Sequence, residues 1–196
     1  LAEVPAITAA TRLPSPEEVR RWWDRFGMLP NIRRHSEMVC RVAVALADWL
    51  AGAGVALSRQ GVEVGALAHD LAKTPCLGTG RLHAQEGEEM LSELGYPELA
   101  FLVGCHVTLP PDHPLDETMV VNYADKRVTH DRIVSLDDRF HYIIDRYGQG
   151  DPQRIARIQV GLDRARRAEG VIFQRLPGRS PADLFALDGC AREEVG

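Results

Sequence analysis

The run Ala66–Leu67–Ala68–His69–Asp70–Leu71–Ala72–Lys73 constrains this chain more than any other. A histidine and an aspartate stand side by side in an apolar segment. Val64, Leu67, Ala68 and Leu71 recur there with helical spacing and predict a core-facing stripe. The pattern predicts a helix over 59–73 that stops before Pro75. An ionised carboxylate at a core position is costly to desolvate unless something compensates it, and a bound cation commonly does. The pair therefore raises the question of whether other segments deliver matching ligands.

They do. A helix from about Pro30 to Gly52 has the stripe Val39, Val42, Ala43, Leu46, Trp49 and Leu50, and one turn back along it lies His35. His83 opens a helix that runs to Leu94 with Ala84, Gly87, Leu91 and Leu94 on one side. A helix started by Pro97 puts Leu102, Cys105, His106 and Leu109 on one face. A helix over 116–129 aligns Val121, Ala124, Asp125 and Val128, again an acid among core positions. A lone inward histidine is ordinarily a hydrogen-bonded core residue, and a lone Asp125 pairs readily with an arginine. His35, His69, Asp70, His106 and Asp125 converging on one interior, with His83 at its edge, point instead to a metal site. Imidazole and carboxylate donors without thiolate suit iron, manganese or another first-row divalent ion, and also Mg2+, better than a structural zinc.

The rest of the chain frames this constellation. Residues 1–14, rich in Ala, Thr and Pro, read as a lead-in. Ser15-Pro16-Glu17-Glu18 opens a helix as a capping box, and Gly27 ends it. Cys76–Gly80 is a Gly-containing loop without the G-x-x-x-x-G-K-[ST] pattern of a phosphate loop. Pro110, Pro111 and Pro114 predict a loop over 107–116, and further helices are expected near 135–147 and 152–169. In the last of these Ile155, Ile158, Leu162 and Ala165 form the stripe, with five arginines mostly off it. No alternating segment predicts a strand, so the expected fold is all-α: a core over 15–132 with a C-terminal helical extension, 133–196, packed on it.

Composition bounds the function. The 196 residues are 45% hydrophobic and 26% charged, an ordinary globular balance. A net charge of -5 argues against an extended nucleic-acid surface while permitting a local basic pocket. No apolar run is long enough to cross a membrane and no signal peptide is visible. Cys40, Cys76, Cys105 and Cys190 form no C-x-x-C pair and read as free thiols, so a cytoplasmic location is expected. The chain opens on Leu1, not Met, and is compatible with a piece of a longer protein.

The order His35, His69-Asp70, Asp125 resembles the H…HD…D signature of the HD-domain metal-dependent phosphohydrolases. The stretches HDLAK, HAQEG and YADKR are most similar to bacterial HD-domain hydrolases that cleave diadenosine tetraphosphate symmetrically. The resemblance implies an HD-type helical bundle with two divalent ions. His35, His69, Asp70 and Asp125 would hold one ion and His83 and His106 the second, with Asp70 bridging and central to catalysis. It implies hydrolysis of a phosphoester or phosphoanhydride of a nucleotide or dinucleoside polyphosphate by a metal-activated water. Lys73, one turn beyond His69, is the first candidate for binding substrate and assisting catalysis, though a lysine is also favoured at a helix C-terminus. Lys126 and Arg132 are further substrate-binding candidates. A rival reading is a metal-holding regulatory or nucleotide-binding module with little turnover. The expected partner is a small phosphorylated molecule, and a homodimer is compatible with the sequence. Gly95-Tyr96-Pro97 invites comparison with the HD-GYP phosphodiesterases, but a helix end at Gly95 followed by a new helix at Pro97 explains the triplet.

Overall fold

The structure, a computed structural model, describes residues 6–191. Residues 1–5 of the lead-in and 192–196 of the extension lie outside the described residues, as does the side chain of Cys190; Cys40, Cys76 and Cys105 are free thiols. The fold is all-α as the stripes predict, with one short two-stranded hairpin among the described residues. No helix among them is long and apolar enough to cross a membrane.

Helix α1 (Pro16–Arg25) starts at Ser15, whose Oγ accepts from the Glu18 amide at 3.1 Å. Glu18 does not complete the box by reaching back. Its carboxylate accepts instead from the Tyr96 hydroxyl at 2.9 Å, tying α1 to the residue just before Pro97. Trp22 and Trp23 are buried, and the Trp23 indole N–H donates to the Leu67 carbonyl at 3.0 Å. Helix α2 (Pro30–Gly52) is the long central rod, and His35, Val39, Val42, Ala43, Leu46 and Leu50 are all buried along it.

Helix α3 (Arg59–Ala68) is shorter than its sequence pattern suggests, because the expected helix over 59–73 breaks after Ala68. Pro75 is the local reason: in a continuous helix its ring would collide with the Leu71 carbonyl, four residues back. The chain tightens through Leu71 N–H to Ala68 O and Lys73 N–H to Asp70 O bonds, both 3.0 Å. It then restarts as the four-residue α4 (Lys73–Cys76), which holds Pro75 in its first turn. His69 and Asp70 therefore stand just beyond a helix end.

Helices α5 (His83–Glu93) and α6 (Pro97–Cys105) form a hairpin across Gly95, whose φ of 84° supplies the left-handed turn expected of a helix end. Helix α7 (Glu117–Lys126), capped by Asp116, lies nearly wholly buried. The helix expected to reach 129 ends at Lys126, and strands β1 (Val128–Thr129) and β2 (Arg132–Ile133) follow, paired antiparallel. Helix α8 (Leu136–Ile143) runs into a π-helical turn, Ile144–Gly148, and α9 (Pro152–Gln174) returns over α7 and α8. A 3-10 segment, Pro181–Ala191, closes the described chain. Arg127, 1% exposed, fastens this extension to the core. It donates to the Val134 and Pro181 carbonyls and the Tyr123 hydroxyl, with Glu169 of α9 at 3.5 Å. Of the lead-in, Ile7 and Leu13 pack against the core.

The close approach of α3 to α6 brings two histidine-bearing helix ends together, and Gly65 permits it. A Cβ there would lie 2.8 Å from Leu102 Cδ1, and Leu102 is 1% exposed and has no room to yield. Gly65→Ala is expected to destabilise the fold by about 1–3 kcal/mol through overpacking. Gly170→Ala, exposed within α9 and open on all sides, is expected to stabilise by about 0.5–1 kcal/mol through helix propensity. Urea midpoints of the two variants check these opposite signs.

Candidate metal centre

Five helices deliver the polar cluster, with His83 at the start of α5. His35 lies in α2 and Asp125 in α7, both buried on the stripes that fix their direction. His69 and His106 each sit directly after the last residue of a helix, α3 and α6. Each ring Nδ1 bonds to the carbonyl three residues back, His69 to Ala66 at 2.7 Å and His106 to Val103 at 2.6 Å. A helix leaves its last carbonyls without partners, so each ring satisfies one of them and is oriented by doing so. His35 Nδ1 is likewise held, by the His130 carbonyl at 2.8 Å. Only an N–H can donate to a carbonyl, so each of the three rings, in its neutral form, turns an Nε2 lone pair inward.

The inward nitrogens and the carboxylates form two triads, His35–His69–Asp125 and Asp70–His83–His106. Within each triad one ligand atom per residue lies within 4.8 Å of the others. Asp70 faces both. Its Oδ1 is 3.3 Å from His83 Nε2 and 3.7 Å from His106 Nε2, and its Oδ2 is 3.4 Å from His69 Nε2. His35 Nε2 lies 3.0 Å from Asp125 Oδ1, and the His83 and His106 Nε2 atoms are 3.1 Å apart.

This arrangement fits a divalent cation. His69 Nε2 is fully buried with no hydrogen-bond partner, although it points at two carboxylates. Lone pairs of oriented rings facing carboxylate oxygens repel unless a proton or a cation stands between them. The donor set of nitrogen and oxygen, with no thiolate, suits a divalent metal ion.

The charges are poised accordingly. Burial alone would raise the Asp70 carboxyl, but His69, Lys73 and His106 override it and hold it well below the usual range. Burial likewise opposes the Asp125 charge, yet Lys126, His35 and Arg139 keep that carboxyl low as well. Burial, reinforced by the neighbouring His69, pushes the His106 ring down to about 3, leaving it a neutral ligand. His83 is also lowered, chiefly by burial. For His69 the attraction of Asp70 and Asp125 outweighs burial and raises it.

Of the remaining residues singled out by sequence, Lys73 Nζ lies 2.7 Å from Asp70 Oδ2. Lys126 Nζ lies 2.7 Å from Asp125 Oδ2 and 3.1 Å from the His106 carbonyl. Both line a cavity of about 860 Å3 that opens over Asp70. Arg132 is not among the residues that line this cavity: in β2 it is 62% exposed and pairs with Asp188. Arg139 of α8 was not evident from sequence. It lines the cavity 3.9 Å from Asp125 Oδ1, and its Nε is buried without a partner among the described residues. The His130 carbonyl orients His35.

A model of the HD-domain family matches residues 32–143, more than half of the chain. The chain belongs to the HD-domain family. HD domains are typically metal-dependent phosphohydrolases, and the matched span contains His35, His69, Asp70, His83, His106 and Asp125. No curated protein and no solved structure matches the chain.

Two triads, with Asp70 of one only 3.4 Å from His69 of the other, predict a graded loss of metal. In manganese-loaded protein, His106→Ala is expected to lower bound metal from about two ions per chain to about one, and His35→Ala to do the same through the other triad. Asp70→Ala is expected to leave less than one. Elemental analysis of gel-filtered variants reads this directly.

Proposed function

We propose that the HD domain hydrolyses a phosphoester or phosphoanhydride of a nucleotide or dinucleoside polyphosphate at this cluster. The observation that carries the reading is the position of Asp70, which faces both imidazole groups at the floor of a cavity rimmed by cationic side chains. His35, His69 and Asp125 would hold one divalent ion and His83 and His106 a second, with Asp70 shared between them. Iron and manganese are the first candidates. Divalent ions held there supply Lewis acidity, which activates water near neutral pH and neutralises phosphoryl charge.

The chain's own groups do the positioning. Carbonyl-anchored rings keep the ligand atoms from turning away and so lower the reorganisation needed as charge develops. Lys73 and Lys126 each rest on a carboxylate oxygen at the cavity floor and stand ready to contact phosphoryl oxygens. Arg139, in the cavity lining 3.9 Å from Asp125 Oδ1, adds a further cation for phosphoryl oxygens. Leu29 and Leu109 line the walls beside these groups and limit water around the reacting bond. The stretches around His69, His83 and Asp125 favour a dinucleoside tetraphosphate as the first substrate to assay.

Asp70→Ala is expected to abolish turnover, a loss on the order of a hundredfold to a thousandfold or more in kcat, because it removes charge from both metal groups at once. Lys73→Ala is expected to raise KM several-fold with a smaller effect on kcat, as for loss of a single substrate contact. Steady-state release of nucleotide or phosphate by manganese-reconstituted protein measures both. A folded, metal-loaded and fully active Asp70→Ala protein contradicts the proposed function.

A further inference from the structure

The part of the cavity lining that comes from α9 and the π-helical turn has a composition that the metal centre itself does not require. Helix α9 carries five arginines, Arg154, Arg157, Arg164, Arg166 and Arg167. Three point away from the cavity and meet acids: Arg154 with Asp151, Arg166 with Asp137 and Arg167 with Asp112, at 3.4, 2.6 and 3.7 Å. Arg157 and Arg164, two turns apart on one face, line the cavity and meet no acid among the described residues. Arg146 of the π-helical turn lines it too, again without an acidic partner among them, its guanidinium 5.7 Å from the Tyr147 ring centre. The cations nearer the floor differ, since Lys73 and Lys126 are already neutralised by Asp70 and Asp125.

Apolar surface is gathered at the same place. Seven large hydrophobic side chains are exposed among the described residues, and five of them, Leu29, Leu77, Val107, Tyr147 and Val160, line this cavity. Val160 sits between Arg157 and Arg164 on α9, and Gly161 beside it packs against Phe140, where a Cβ would lie 3.2 Å from Cε1. Exposed apolar side chains concentrated in a concave site mark a ligand-binding surface. Uncompensated arginines between them call for a ligand with negative charge at a distance from the metal centre. The occupant that satisfies both is an aromatic base joined to a chain of phosphates.

We propose that the π-helical turn and α9 form a distal substrate site, in which Arg146, Arg157 and Arg164 hold the phosphates that do not react and Tyr147 and Val160 cover the base. The C-terminal extension thereby selects nucleoside polyphosphates over monophosphates and simple phosphate esters. This deepens the proposed hydrolysis, on which it rests for the identity of the reacting end. Arginine forks and an aromatic face match phosphate and base without any contribution from the metal ligands.

The test compares wild type with the double variant Arg157→Ala/Arg164→Ala and with Arg154→Ala/Arg166→Ala, which removes the same charge from the acid-paired side of α9. Two quantities are read: equilibrium binding of fluorescent mant-ATP in EDTA, and manganese-dependent hydrolysis of bis(p-nitrophenyl) phosphate. Arg157→Ala/Arg164→Ala is expected to weaken mant-ATP binding roughly ten- to hundredfold, the worth of one or two charge-assisted hydrogen bonds, and to leave ester hydrolysis unchanged. The control variant is expected to bind mant-ATP like wild type. Equal binding by wild type and Arg157→Ala/Arg164→Ala, equal weakening in both variants, or no binding by wild type overturns the distal site. Wild type that hydrolyses no phosphate compound while the binding difference persists overturns the hydrolase reading and leaves the distal site standing.

Discussion

Two carboxylates, Asp70 and Asp125, are buried in the helical core at 1% and 6% exposure, and most of the structure around them serves to make that tolerable. Neither could be held there alone, since the cost of stripping water from an ion exceeds what most single contacts return. Each is met by a lysine from its own neighbourhood and by imidazoles from other segments. Lys73 reaches Asp70 from the start of α4, while Lys126 follows Asp125 in the chain. The packing of α3 against α6 and α7, the small residue at Gly65 and the burial of α7 all keep these groups within reach of one another. In a loosened core, the same residues would be an uncompensated charge cluster.

Helix ends are the device that aims the ligands. His69 and His106 occupy equivalent places, one after α3 and one after α6, and each ring satisfies a carbonyl that the helix leaves unpaired. The same bond that helps finish a helix fixes which nitrogen faces the centre. His35 obtains the equivalent hold from the turn at His130, a residue with φ of 57° between β1 and β2. That hairpin thus connects the metal centre to the extension that contributes to the cavity lining. The buried Arg127, bonded to Tyr123 of α7 and to carbonyls at 134 and 181, keeps the two parts in register.

Much of this was legible in the sequence where the signal was periodic. The stripes of α2 and α7 place His35 and Asp125 inward because 3.6-residue spacing leaves no other orientation. The run around His69 was less legible, since nothing before Pro75 looks like a breaker. Pro75 bars a continuous helix through 73, and the break falls earlier, after Ala68, where the Trp23 indole takes the Leu67 carbonyl and the His69 ring takes that of Ala66. Arg132, beyond the helix expected over 116–129, falls in β2 of the hairpin, which no alternating pattern announced. Arg139, Arg157 and Arg164 were overlooked for a different reason: an arginine beside an apolar stripe reads as solvated charge until the cavity is known. The seven-residue spacing of Arg157 and Arg164, with Val160 between them, was the available signal.

The central claim is that the imidazole–carboxylate cluster is a two-ion site shared at Asp70. Anomalous X-ray diffraction from crystals soaked in Mn2+, recorded on both sides of the manganese edge, tests it most directly. The account predicts two anomalous peaks at coordination distance, about 2.0–2.3 Å, from ring nitrogens. One is expected between His35, His69 and Asp125, the other between His83 and His106, with an Asp70 oxygen on each. A saturating soak that leaves His83 and His106 hydrogen-bonded to each other, or that places manganese only outside the cluster, would contradict it.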